Sequence, residues 1–97
     1  MSKFDQAKTL MRVKKVQKEL EKQIIEVERG DGAVRVEMTG EQKLKKIHID
    51  PEAIDLEDIH ELERWLEDAV KEAIQKSQAY AAEKMQPFIG ALGDLGL

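Results

Sequence analysis

Apolar residues recur at three- and four-residue steps near the start of the chain. Between residues 4 and 23 this spacing puts one set of them in a single stripe on a helix. The stripe consists of Leu10, Val13, Val16, Leu20 and Ile24. The pattern therefore predicts an amphipathic helix over residues 4–23, with Ser2 or Asp5 as its N-cap. Phe4 and Met11 fall outside the stripe, so either they are exposed or a second chain covers them.

Three short runs follow in which apolar and polar residues alternate, as is typical of half-buried strands. The inward positions are predicted to be Ile25, Val27, Val34, Val36, Met38, Ile47 and Ile49. Two turns containing glycine, at residues 29–32 and 40–43, separate the runs. Because these connections are short, we expect an antiparallel meander. Asp50 and Pro51 end the third strand, and we expect Asp50 to cap a helical turn there.

The helical period returns over residues 56–86, where a long second helix is predicted with Asp55 as its N-cap and Pro87 as its stop. Small residues at positions 69, 73, 77 and 81 would let another backbone approach this helix closely. The predicted fold class is α+β, with the order α-β-β-β-α. Residues 1–86 are expected to form one domain and residues 87–97 a mobile C-terminal tail.

The length of the second helix predicts a partner. About 30 residues at about 1.5 Å each span roughly 45 Å. A compact chain of 97 residues has a radius of gyration of about 12.5 Å and so a diameter of about 32 Å, which is shorter than this helix. An overhanging apolar seam needs cover from a second chain, and a sheet of three strands also has free edges. We therefore expect a homodimer. Its interface is predicted to include Leu62, Leu66, Val70 and Ala73.

Charge divides the chain unevenly and adds a candidate binding surface. Residues 1–23 hold seven bases against three acids, whereas residues 50–97 hold four bases against twelve acids. The bases of the first helix project opposite its apolar stripe and could bind phosphates by Coulomb attraction and counterion release. The candidate contacts are Lys8, Arg12, Lys15, Lys18 and Lys22. A pair of solvated helix faces is the simpler interpretation of the same charges.

Other chemistry has little support in the sequence. The absence of cysteine removes thiol catalysis, thiolate metal sites and disulfides, and is compatible with a reducing compartment. His48 and His60 have no matched nucleophile and acid, and Gly30-Asp31-Gly32 lacks the spacing of a phosphate-binding loop. We expect no enzyme activity, no metal or cofactor, no small-molecule substrate and no membrane span. The N-terminus has no apolar run typical of a secretion signal, so we expect a cytoplasmic protein.

Local motifs between residues 5 and 86 are similar to those of one known family. The run Val34–Gly40 alternates into a glycine, and Lys45-Lys46-Ile47-His48-Ile49-Asp50-Pro51 then leads from a strand into the region before the long helix. The Leu/Ala-rich segment Leu62–Ala73 and the ending Glu83-Lys84-Met85 fit the same pattern. On these residues the chain resembles the YbaB/EbfC family of bacterial nucleoid-associated proteins.

The resemblance implies a tweezer-shaped homodimer whose protruding helices grip duplex DNA, with a role in nucleoid organisation or gene regulation. It implies a location at the nucleoid, within the cytoplasm. The candidate DNA contacts from the acidic second helix are Lys71, Lys76 and Lys84. A dimeric protein-interaction module, which would use the same helices without contacting DNA, stays open as the alternative function.

Overall fold

The first helix, α1, spans Lys3–Lys22 in a computed structural model that describes residues 2–89. Ser2 is its N-cap: the Asp5 backbone N–H donates to Ser2 Oγ at 3.2 Å, and the Ser2 hydroxyl donates to Asp5 Oδ2 at 2.9 Å. These paired bonds satisfy one of the free N–H groups of the first turn. The structure thus selects Ser2 over Asp5 as the cap.

The apolar stripe of α1 is only partly covered. Val13 and Leu20 are buried and Val16 is half-buried, whereas Leu10 keeps 41% of its surface exposed. The half-buried residues that continue the covered line toward the N-terminus are Gln6 and Thr9. The predicted inward position of Leu10 is therefore wrong, because the contact line of the helix passes to one side of it.

Three antiparallel strands form one sheet in the order β1-β2-β3 and confirm the predicted meander. Strand β1 spans Ile24–Arg29, β2 spans Val34–Thr39 and β3 spans Leu44–Ile49. Met38 pairs with Leu44 while Glu37 pairs with Lys46, so Lys45 is an extra residue in a β-bulge.

The second helix, α2, spans Ile59–Met85, and Asp58 is its N-cap through a bond from the Glu61 N–H at 3.3 Å. The predicted start at residue 56 with Asp55 as the cap is wrong. Asp55 Oδ1 instead accepts from the Glu57 N–H at 2.9 Å within a preceding turn. A 3-10 turn over Gln86–Phe88 follows α2. Positions 90–97 of the predicted tail lie outside the described residues.

The 3-10 turn between β3 and α2 covers Pro51–Ala53 and is capped as expected, because Asp50 Oδ1 accepts from the Glu52 N–H at 3.0 Å.

The β1–β2 turn depends on a glycine. Gly30 has a φ of +65°, and a Cβ at this position would lie 2.8 Å from the Trp65 ring. The indole therefore packs directly on the turn, which ties α2 to the β1 side of the sheet.

The core lies between α2 and the first two strands. Val27, Val34, Val36 and Met38 are buried there beneath Ala69 and Ala73 of the helix. The small side chains of α2 let its backbone lie close to the sheet. Ser77 continues the same line and has no exposed surface.

Strand β3 is left without cover by the helix. Its register puts Leu44, Ile47 and Ile49 opposite the buried Met38, Val36 and Val34, so all three lie on the helix-facing side. They nevertheless keep 51%, 41% and 38% of their surface exposed, respectively. Ile47 and Ile49 were expected to be inward: the predicted face is correct, but α2 packs over β1 and β2 instead.

The described residues form an elongated shape of 64 × 18 × 15 Å with a radius of gyration of 18.4 Å. The two helices meet near the sheet, where the Tyr80 hydroxyl donates to Gln23 Oε1 at 3.4 Å. Helix α2, with 27 residues, extends over about 40 Å, which is about twice the length of a six-residue strand. None of the helices within residues 2–89 is long and apolar enough to cross a membrane.

Candidate nucleic-acid interface

The bases predicted to contact DNA lie together on one side of α1. All five are exposed: Lys8, Arg12, Lys15, Lys18 and Lys22. They project away from the line of Val13 and Leu20 that holds the helix to the rest of the chain. From Lys8 to Lys22 the row covers 15 residues, which are about 21 Å apart along the helix axis from first to last. The structure therefore presents a mainly basic surface, called here the α1 basic face.

The C-terminal end of α1 is held firmly against the sheet. The Gly40 N–H donates to the Leu20 carbonyl at 2.8 Å, which satisfies one of the free carbonyl groups at the end of the helix. A Cβ on Gly40 would lie 2.8 Å from that same oxygen, so only glycine allows this approach. The burial of the Leu20 side chain adds an apolar contact at the same point. The α1 basic face therefore has a defined orientation relative to the sheet.

Ion pairing separates α1 from α2. Within residues 2–89, no base of the α1 basic face takes part in an ion pair. On α2, Lys71 lies 2.8 Å from Glu67, and Lys76 lies 3.6 Å from Glu72. The hydrogen bond between Lys71 and Glu67 lowers the pKa of Glu67 and raises the pKa of Lys71. The five bases of the α1 basic face can thus bind an external anion without breaking an ion pair within residues 2–89, whereas two of the three candidate bases of α2 already have acidic partners.

Acidic groups near α2 reinforce this difference. Glu72 binds Arg29 of β1, with the Arg29 guanidinium 3.3 Å from its carboxylate, and this hydrogen bond lowers the pKa of Glu72. The third candidate base, Lys84, lies 5.6 Å from the centre of the Tyr80 ring. A phosphate that approached α2 would meet the carboxylates of Glu67 and Glu72 beside its bases, whereas on the α1 basic face the five bases outnumber the exposed acid among them, Glu19.

Two large apolar side chains share the α1 basic face. Phe4 is 74% exposed and Met11 is 71% exposed. Lys8 Nζ lies 5.8 Å from the centre of the Phe4 ring, within the range of a cation–π contact. Of the two outcomes that the sequence left open for these residues, the single chain shows exposure.

The residues predicted for a dimer interface occupy different depths. Leu62, Leu66 and Val70 are half-buried at the margin of the core. Ala73 has no exposed surface, because it packs against the chain's own sheet. In this conformation Ala73 could therefore contribute to a dimer interface only indirectly, by packing beneath the residues that contact the partner.

The alternation of β3 did not reveal that its apolar side chains are exposed. The β3 strip, defined as Leu44, Ile47 and Ile49, lies on the helix-facing side of the sheet and adds exposed apolar surface there. Ile59 at the start of α2 is also 43% exposed. A sequence signal was present, since one helix of about 10 Å diameter cannot cover three strands spaced about 4.8 Å apart together with their side chains.

Comparisons with known proteins agree with this architecture. The fold is similar to the crystal structure of an uncharacterized protein from Helicobacter pylori, with a TM-score of 0.75 and 17% identity over 86% of this chain and 87% of that chain. This likeness shows the fold alone.

Sequence relatives are more informative about family. A protein of Chloroflexus aurantiacus named nucleoid-associated protein is 40% identical over 86% of this chain and 83% of its own length. One of Ruminiclostridium cellulolyticum with the same name is 37% identical over 86% of this chain and 72% of its own. The model of the YbaB/EbfC DNA-binding family matches residues 1–92. The match covers nearly the whole chain and confirms the resemblance seen in the motifs: the chain belongs to the YbaB/EbfC DNA-binding family.

Proposed function

We propose that this protein binds duplex DNA as a homodimer, mainly through phosphate contacts from the α1 basic face. It would act at the nucleoid, in the bacterial cytoplasm, in nucleoid organisation or gene regulation. The observation that carries the proposal is a face of five exposed bases, free of ion pairs within residues 2–89, in a member of a family described as DNA-binding. The names of the relatives support the nucleoid role.

The size of the α1 basic face suits a phosphate backbone. Its length of about 21 Å corresponds to about six base pairs at 3.4 Å each. Lysine and arginine contacts to phosphate carry little sequence information, so we expect weak sequence preference. If each chain of the dimer neutralises about three phosphates, the log–log slope of affinity against salt concentration is about −5. Affinity then falls about a thousandfold between 50 and 200 mM salt.

Uncovered apolar surface supports the dimer. The exposed β3 strip lies on the helix-facing side of the sheet, and Leu62, Leu66 and Val70 are half-buried at the core beneath α2, where Ala73 is fully buried. Water-exposed apolar side chains grouped in this way favour association. A stable interface of ordinary size buries about 800 Å² on each partner. Light scattering at micromolar concentration should therefore give twice the mass of one 11.1 kDa chain, and the mass of a single chain would contradict the dimer.

Charge reversal on α1 tests the DNA contact. The triple variant Lys8→Glu, Arg12→Glu and Lys15→Glu changes six charge units per chain on residues that are all exposed. We expect it to stay folded and dimeric and to lose binding to a 30-base-pair duplex in fluorescence anisotropy. The phosphate interaction cannot survive reversal of the charges that drive it.

The matched control makes the same charge change on α2, as Lys71→Glu, Lys76→Glu and Lys84→Glu. At physiological salt the Debye length is about 8 Å, so a distant change of net charge alone has a limited effect. The control should retain most of the affinity. If the α1 variant binds like the parent and the α2 variant does not, then α2 is the contact surface. Salt-independent binding, or none, would favour the protein-interaction module.

A further inference from the structure

Phe4 and Met11 are the feature of the α1 basic face that phosphate binding does not use. They are seven residues apart, so they lie within about 20° of each other around the helix axis and about 10.5 Å apart along it. Val13, which marks the buried side, lies on nearly the opposite side of the helix. Both apolar side chains thus point outward from the middle of the basic surface.

Bases border this apolar pair on both sides. At about 100° per residue, Lys8 and Lys15 lie on one side of it and Lys14 and Lys18 on the other. A membrane surface is a poor occupant, because membrane-bound helices need a broad apolar face rather than two residues among lysines. A basic protein surface is also a poor occupant, because the flanking lysines repel it. The charge pattern selects an occupant that is anionic at both margins and apolar in the middle.

The major groove of duplex DNA has this arrangement. It is about 12 Å wide and admits a helix of about 10–12 Å diameter, whereas the minor groove is only about 6 Å wide. Phosphates line its two rims, and each thymine places a 5-methyl group on its floor. Apolar side chains, including phenylalanine, contact that methyl group directly.

We propose that Phe4 and Met11 lie on the floor of the major groove and contact thymine methyl groups, while the flanking lysines bind phosphates on the two rims. This inference rests on the proposed function and extends it to the bases. The separation of about 10.5 Å along α1 places the two contacts at most about three base pairs apart, because a helix that follows the groove is inclined to the DNA axis. The protein therefore gains affinity for duplexes that carry thymines at that spacing.

Replacing thymine by uracil tests the inference without altering the protein. The exchange removes the 5-methyl group and leaves the phosphate charge and the base pairing as they were. The parent protein should bind a thymine duplex about fourfold more tightly per contacted methyl group than the matched uracil duplex, following the usual gain for a buried methylene-sized group. The salt slope should be the same on both, because the phosphate contacts are unchanged.

A double variant assigns the effect to these side chains. Phe4→Ala with Met11→Ala should bind both duplexes equally and keep the salt slope of the parent. Leu56→Ala is the control, since Leu56 is 80% exposed and precedes α2, away from α1. This control should keep the full preference for thymine.

The outcomes separate the two proposals. Salt-dependent binding by the parent with no thymine preference refutes this inference and leaves the proposed function standing. A preference that survives in the double variant refutes it as well. If the double variant loses dimer mass in light scattering, a second copy of the chain covers Phe4 and Met11 and the inference is wrong. No binding of the parent to either duplex refutes both proposals.

Discussion

A buried hydroxyl on α2 should hold the β2–β3 turn in place. Ser77 Oγ donates to the Thr39 carbonyl at 2.7 Å and accepts from the Gln42 N–H at 3.1 Å and from Gln42 Nε2 at 2.9 Å. Gln42 has a φ of +63°, a backbone region that residues other than glycine seldom occupy. The three bonds therefore compensate for an unfavourable turn conformation, and Ser77→Ala removes all of them.

The size of the effect follows from the partners that remain. In the variant the Gln42 N–H still reaches the Thr39 carbonyl at 3.2 Å, and Gln42 Nε2 still reaches the Gly40 carbonyl at 3.0 Å. No buried group is left wholly without a partner, so the loss is about 1–2 kcal/mol rather than the sum of three bonds. The higher helix propensity of alanine offsets about 0.5 kcal/mol of this loss in the free energy of unfolding. We expect a net loss of about 1 kcal/mol, which lowers Tm by about 4–8 °C.

Urea unfolding followed by Trp65 fluorescence measures this loss. Parent and variant are compared at the same protein concentration, because association shifts the apparent stability. Gln78→Ala is the control, since Gln78 is the exposed neighbour of Ser77 on the same helix and its loss should change stability by less than about 0.5 kcal/mol. If Ser77→Ala moves the urea midpoint no further than the control, the hydroxyl network does not stabilise the fold and the reasoning fails.

Two further predictions concern contacts that join the sheet to the helices. Gly40→Ala should cost about 1–3 kcal/mol, because the new Cβ would lie 2.8 Å from the Leu20 carbonyl oxygen; an unchanged urea midpoint would show that α1 can move away from the turn. Glu72→Gln should lower Tm at neutral pH, with a difference from the parent that shrinks in acid. The Arg29 hydrogen bond lowers the pKa of Glu72 in the folded chain, so its stabilisation is present above the unfolded pKa and is lost as pH falls through the folded pKa. A difference in Tm that stays constant from neutral to acid pH would contradict that account.

Element type followed directly from local pattern. The change from helical to alternating spacing near residue 24, and back again after Pro51, correctly predicted both helices and all three strands. The start of α2 was misplaced because two aspartates three residues apart, Asp55 and Asp58, both have a capping side chain. Each of them does accept a backbone N–H, and only the three-dimensional path of the chain decides which bond opens the helix.

What the sequence determined by itself is therefore local: the periodicities, the turns and the separation of bases on α1 from acids on α2. The tertiary structure decided which apolar faces are covered. Ile47 follows the alternation of a buried strand yet is 41% exposed, because α2 packs mainly over β1 and β2. Ser77 has the spacing of a small seam residue, and only its approach to Thr39 and Gln42 makes its hydroxyl structural. Periodicity records which side of an element is apolar, whereas cover depends on where another element lies, and residues distant in sequence set that position.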